Sequence, residues 1–269
     1  MIELKNAWEI FKILPKTNCR ACRFPTCLAF AAAVFKGDCR LEECPHLEKT
    51  ALASFSVLNA DSRTLEREEE NAVRDLQKQV PLVDLASSAD RLGGTFSQGV
   101  LSLKVLGKDF HVDQYGNVTS DCHVHGWVTI PILNYVLFSA GMVPSGNWVT
   151  LRELPGGTGW APLFSQRCEK PLKRIADTHT DLFEFMIDVF SAERAPRPFD
   201  SDIAVILYPL PKVPILLCYW KPDGSMDSSV NVFFDESAKK NLPVEALYRL
   251  TAGMVIMFEK ISITHGFQT

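Results

Sequence analysis

One spacing constrains this chain more than any other: Cys19-Arg-Ala-Cys22-Arg-Phe-Pro-Thr-Cys27, and then Cys44-Pro45. A CxxC pair, a third cysteine five positions on and a fourth beyond a short helical stretch can hold one metal centre. Thiolates are soft ligands, and four of them suit zinc or an iron–sulfur cluster. Structural zinc usually takes its ligands as two paired knuckles. Here the second pair is missing, and Cys27 opens an Ala-rich segment instead. That arrangement wraps one face of a cubane better than it closes a zinc knuckle. Cys39 is a spare thiol that competes with Cys44 for the fourth position.

Eight cysteines invite a disulfide reading, but five of them crowd between positions 19 and 44. The opening residues are charged and amphipathic (Glu3, Lys5, Glu9 and Lys12 around Trp8, Phe11, Ile13 and Leu14) and lack the pattern of a secretory leader. A reducing cytoplasm is the expected compartment. With 269 residues, 46% of them hydrophobic, the chain can bury a full core beyond the cysteine segment. A net charge of −4 gives no reason to expect a nucleic-acid partner. The apolar run 128–143 is too short to span a membrane, carries Pro131 and Asn134, and reads as a core helix.

The cysteine set, with Pro25 before the third cysteine and Ala-rich sequence after it, resembles a small four-cysteine [4Fe–4S] domain. That domain occurs in the large subunit of corrinoid iron–sulfur proteins and in the cluster-bearing B subunit of the Rnf electron-transport complex. Cys44 followed by proline is also similar to the Cys-Pro ending of bacterial ferredoxin runs. The resemblance covers roughly residues 15 to 50. It implies a [4Fe–4S] cluster on Cys19, Cys22, Cys27 and Cys44, with family spacing and Pro45 favouring Cys44 over Cys39. It further implies an anaerobic host and a ferredoxin-like donor or corrinoid protein as partner. One departure stands out. Arg20 and Arg23 occupy positions where such domains carry glycine, so the loop is expected to differ, since glycine tolerates positive φ. Two guanidinium groups beside the cluster would raise its potential or help dock an acidic partner.

In chain order, residues 2 to 14 read as an amphipathic helix stopped by Pro15, with an aromatic face that covers the cluster. Leu28 to Lys36 reads as a helix ended by Gly37. From Glu48 to about Arg91, charge and small residues predict a solvated connecting helix, closed by Gly93-Gly94. Val100–Leu106 and Phe110–Asp113 alternate about Gly107-Lys108 and predict a hairpin, with another turn at Tyr115-Gly116-Asn117. A helix is expected over 130–140 with Pro131 in its first turn. Two more are expected between Ala161 and Phe190, strands over 203–210, 215–220 and 229–234, and a last helix over 244–260. Mixed strands and helices without a regular βαβ rhythm argue for α+β. The expected division is a four-cysteine module over 1–50, a helical linker over 51–94, and an α+β domain with antiparallel strands over 95–269.

The stretches Gly-Lys-Asp-Phe-x-Val-Asp near 107, Pro-Ser-Gly-Asn-Trp-Val-Thr-Leu-Arg-Glu-Leu-Pro-Gly-Gly from 144 and Val-Phe-Phe-Asp-Glu-Ser near 232 resemble an uncharacterised prokaryotic domain family. In anaerobes that family is often fused to the four-cysteine module, and it implies no assigned activity. Within it, Arg152-Glu153-Leu154-Pro155-Gly156-Gly157 reads either as a turn with an internal Arg–Glu pair or as a ligand loop. Cys122, His123 and His125 form a second candidate ligand group, and Cys218 reads as core. The expected function is single-electron relay through one cluster rather than catalysis. The alternatives are an accessory protein with a structural or redox-sensing cluster, and an enzyme with its site at the Gly156-Gly157 loop.

Overall fold

The computed structural model describes residues 2–4, 7–36, 39–47, 55–57, 62–196 and 198–264. The chain divides into two compact units, residues 1–71 and 72–269. The fold is α+β, a helical front region followed by a mixed domain with antiparallel sheets.

In the front unit, β1 (Ile2–Leu4) pairs in parallel with β2 (Phe55–Val57). The expected single helix over 2–14 is therefore split. Its first residues form a strand, and α1 spans Ala7–Ile13. The helix stops two residues short of Pro15, whose ring disfavours the helical conformation in the residue before it. Its buried side chain is Ile10, with Leu14 buried just after the helix, rather than an aromatic face, and Trp8 stays 57% exposed. Helix α2 (Cys27–Lys36) buries Phe30, Ala31 and Val34 against Leu4, Ile10, Leu14 and Leu41. Gly37, read as the stop of that helix, lies outside the described residues.

The contact boundary falls within α3 (Ser62–Gln77). Beyond it the chain forms α4 (Leu85–Leu92), whose N-cap Asp84 accepts from Ala86 N–H at 3.0 Å and Ser87 N–H at 3.2 Å. Leu85, Ala89 and Leu92 are buried in the main core, so the core of the rear unit begins well before residue 95.

Strands β3 (Thr95–Ser97), β4 (Val100–Val105), β5 (Lys108–Asp113) and β6 (Val118–Ser120) make an antiparallel meander. The hairpin turn sits at Leu106-Gly107, both with positive φ (49° and 74°), the geometry a two-residue connection needs. Helix α5 (Gly126–Phe138) starts four residues earlier than expected and carries Pro131 in its interior, not its first turn. There Asn134 donates its side-chain amide to the Ile130 carbonyl at 2.9 Å.

The second sheet runs β7 (Trp148–Thr150), β11 (Ser229–Asp235), β10 (Val213–Trp220), β9 (Ile203–Leu210) and β8 (Glu193–Arg194), all antiparallel. Pro214 cannot donate to a ladder, and the β9–β10 register shifts there. One face of this sheet, with Val205, Leu207, Ile215, Leu217, Val232 and Phe234, belongs to the main core. The other face holds a smaller cluster of Ala204, Leu216, Cys218 and Phe233, which fits the core reading of Cys218. Helices α6 (Gly157–Phe164), α7 (Lys170–Thr178), α8 (Leu182–Phe190), the single turn α9 (Ala238–Asn241) and α10 (Val244–Thr264) complete the unit. A π turn over Ser165–Glu169 joins α6 to α7. No described helix is long and apolar enough to cross a membrane.

Candidate functional site

The cysteine loop is shaped by its backbone. Lys16, Asn18, Arg20 and Arg23 all adopt positive φ, at 59°, 49°, 60° and 67°. The loop was expected to differ because arginine replaces glycine at two of these positions. Both arginines hold the left-handed conformation that glycine would adopt without strain. A bond from Arg23 N–H to the Arg20 carbonyl at 2.9 Å closes the turn between Cys19 and Cys27. Asn18 Oδ1 accepts from Cys27 N–H at 2.8 Å, and Thr26 Oγ1 from Ala29 N–H at 3.0 Å. These two bonds satisfy free donors at the start of α2 and tie the front of the loop to its end. Asn18 was missed in the sequence, although asparagine beside a CxxC is one of the few side chains suited to a left-handed turn.

All eight cysteines are free thiols. Cys27 and Cys44 are buried in the small front core, with Cys22 and Cys39 packed against it, while Cys19 is exposed. Hydrogen bonds, first from the Ala21 backbone and then from Thr17, hold the Cys19 thiol below its ordinary pKa. Cys44 follows a 3₁₀ turn (Leu41–Glu43) in which Glu43 accepts from Arg40 N–H at 2.9 Å. The donor chemistry therefore suits a thiolate-bound centre. As they stand, no three or more Cys, His, Asp or Glu side chains among the described residues converge on one metal position.

The second candidate group is only partly assembled. The His123 and His125 rings lie 4.1 Å apart, edge to face, and Cys122 is exposed without joining them in a metal-holding group among the described residues. At the Gly156-Gly157 loop the expected Arg152–Glu153 pair does not form. Glu153 turns back to accept from Thr150 N–H at 2.7 Å and Thr150 Oγ1 at 2.8 Å, capping the 3₁₀ turn Leu151–Glu153. Gly157 has no alternative, since a Cβ there would lie 1.7 Å from the Leu151 carbonyl oxygen.

Two buried polar side chains of the rear unit are occupied by structure. Asp235, completely buried, accepts from Ser145 N–H at 3.0 Å, Gly146 N–H at 2.6 Å and Ser237 N–H at 2.9 Å. Asn241, also completely buried, donates to the carbonyls of Met142 and Lys212 and accepts from Met142 N–H at 2.8 Å. These two side chains fasten the 139–147 segment to the second sheet and to α9.

Residues 84–257 match the family described as "Domain of unknown function (DUF3786)". The chain belongs to that family. In this DUF3786 protein residues 14–46 also match the family described as "Putative Fe-S cluster", so the front unit carries an iron–sulfur domain. Similar curated proteins include the acetyl-CoA decarbonylase/synthase complex subunit gamma of Methanocaldococcus jannaschii, 43% identical over 42 residues, 16% of this chain and 9% of that one. They also include the corrinoid/iron-sulfur protein large subunit of Moorella thermoacetica, 49% identical over 52 residues, 19% of this chain and 12% of that one. The DUF3786 protein thus covers about a tenth of the length of these relatives. No solved structure matches the chain.

Proposed function

We propose that this is a cytoplasmic redox protein of one-carbon metabolism whose front unit relays single electrons through a [4Fe–4S] cluster on Cys19, Cys22, Cys27 and Cys44. The observation that carries the reading is that all four cysteines fall within the iron–sulfur domain at residues 14–46. The similarity to a corrinoid/iron-sulfur protein large subunit supports a corrinoid protein as electron acceptor. When bound, such a cluster gains and loses one electron at a time.

The chain's own residues supply the rest. The lowered Cys19 thiol is ready to bind as thiolate. Ile10, Leu14, Phe30 and Val34 form an apolar wall beside Cys27 and Cys44, which limits water near the cluster and so tunes its potential. Arg20 and Arg23, both exposed, set two cations beside the exposed Cys19, where an acidic donor such as a ferredoxin would approach.

Anaerobic purification followed by iron and sulfide analysis tests the reading. A brown protein with about four iron and four sulfide per chain is expected. Cys44→Ser should lose or destabilise the cluster, while Cys39→Ser keeps its visible spectrum. A colourless chain that takes up one zinc after anaerobic reconstitution sinks the proposal. Cluster loss on Cys39→Ser with none on Cys44→Ser moves the ligand set.

A further inference from the structure

The rear unit contains a cleft in which one guanidinium and one amide are unengaged among the described residues. It has a volume of about 250 Å³ and lies between the turn after β7, the α6–π segment and the edge of β11. Strand β7 covers only Phe233–Asp235 of β11, so the edge of β11 is left without a partner strand at Asn231 and Val232. Glu169, at the end of the π turn over Ser165–Glu169, lines the cleft beside that gap. Such turns recur at functional sites because they redirect side chains that an α-helix would place elsewhere.

Arg152 and Glu169, of opposite charge type, both line the cleft. Burial pushes the Glu169 carboxyl above its usual range, and the Arg152 charge nearby pulls it back. Yet the Arg152 side chain makes no hydrogen bond or ion pair among the described residues, because Glu153, its sequence neighbour, is committed to Thr150. The Asn231 amide is likewise without a partner among them. Phe164 and Leu151 supply an apolar floor. A guanidinium, an apolar lining and neutral donors in one cleft are the groups that recognise a planar carboxylate.

We propose that this cleft binds a small organic carboxylate, its carboxylate on Arg152 and its neighbouring oxygen on Ser165 and Asn231. At about 30 Å³ per water the volume equals about eight waters, which suits an acid of roughly three to five carbons. The Glu169 carboxylate opposes a second negative charge on the ligand, so a monoacid bearing an oxo or hydroxyl group fits better than a diacid. This site stands independently of the iron–sulfur unit and of any role in electron relay.

The test is a titration of the full chain, prepared anaerobically, with pyruvate as probe, followed by backbone amide NMR. Sulfate and methylammonium serve as charge controls. Expected is a saturable shift of amides over 150–159 and 165–169 that sulfate does not reproduce. Arg152→Gln should weaken pyruvate binding by about tenfold or more, as loss of a charge-assisted bidentate contact does. Arg152→Lys, which keeps the charge but not the fork, should weaken it several-fold, and the control Arg167→Gln should leave it unchanged. No shift with pyruvate, an equal shift with sulfate, or equal binding by Arg152→Gln overturns the proposal. Saturable methylammonium binding that Glu169→Gln abolishes overturns it too, in favour of an amine ligand.

Discussion

The two units use polar residues in opposite ways. In the rear unit the buried carboxylate Asp235 and the buried amide Asn241 have their hydrogen-bonding capacity taken up by backbone groups of the 139–147 segment. They are positioned to hold the fold, and the large core around them carries the stability. In the front unit the core is small, and four non-glycine residues within eight positions sit in the left-handed region. Each such residue costs about 1 kcal/mol or more, a cost that persists only where the surroundings hold the conformation in place. The lesson is that left-handed strain crowds the cysteine loop of the front unit, whereas in the rear unit it is spread over Gln98, Leu106, Ser191, Phe199 and Asp200, and unengaged polar groups line the cleft. The conspicuous Asp and Asn of the rear unit mark neither.

The largest effect that separates the units is expected at Gly157. A Cβ 1.7 Å from the Leu151 carbonyl forces backbone to move, so Gly157→Ala should destabilise the rear unit by at least ~3 kcal/mol in denaturant unfolding followed by circular dichroism. Iron content after anaerobic purification should not change. Loss of iron in this variant would mean that the front unit depends on the rear one for its cluster. Asp235→Asn comes next. It replaces a charged acceptor by a group that repels one of its donors, at a cost of about 2–3 kcal/mol. Burial by itself would raise the Asp235 carboxyl, but hydrogen bonds from Ser237, Ser145 and Gly146 outweigh it and hold the pKa below the usual carboxylate value. The group therefore contributes stability that is fully present above about pH 4 and is lost as pH falls through the lowered folded value. In the variant the decline of rear-unit stability below pH 4 should be shallower than in the parent chain. An equally steep decline would mean that other carboxylates govern acid unfolding.

Much of this was legible in the residues. Period-two alternation marked β4 and β5, whereas β9 to β11 were legible as apolar runs, the first two bounded by prolines, because both faces of β10 are buried. The hairpin was local, so sequence could find it, although the turn sits at Leu106-Gly107, one residue before the expected Gly107-Lys108. The split of residues 2–14 into strand and helix was not, since the strand exists through its pairing with residues 55–57 far along the chain. The place of α4 in the core was hidden for a related reason: in an eight-residue helix, Leu85, Ala89 and Leu92 give a weak stripe among polar neighbours. At the cysteine loop, spacing pointed to an iron–sulfur domain, while the left-handed backbone at Arg20 and Arg23 is a feature that arginine does not announce. The cleft at Arg152 and Glu169 was half visible. The glycine pair pointed to it, but Glu169 enters through a π turn that no local pattern announces.

The smallest expected effect concerns those two arginines, and it decides whether the front loop is tuned by charge or only by shape. Arg20→Gly with Arg23→Gly relieves two left-handed residues, worth about 1 kcal/mol each in the folded state. Glycine also frees the unfolded chain, which offsets about 0.4–1 kcal/mol at each site. The net change in front-unit stability should therefore lie within about 1 kcal/mol of zero. The charge effect has a definite sign. A cluster gains negative charge on reduction, so neighbouring cations favour the reduced state, and their removal should lower the potential by roughly 20–60 mV at high effective dielectric. Arg20→Lys with Arg23→Lys keeps both charges and both strained residues, and should leave the potential nearly where it is. The glycine variant should also flatten the salt dependence of electron delivery from an acidic ferredoxin, because screening acts on the charges it removes. A potential and a salt dependence that are the same in the glycine and lysine variants would show that the arginines shape the loop and nothing more. A lower potential in the glycine variant alone would mean that the loop accepts backbone strain in order to keep two cations beside its exposed cysteine.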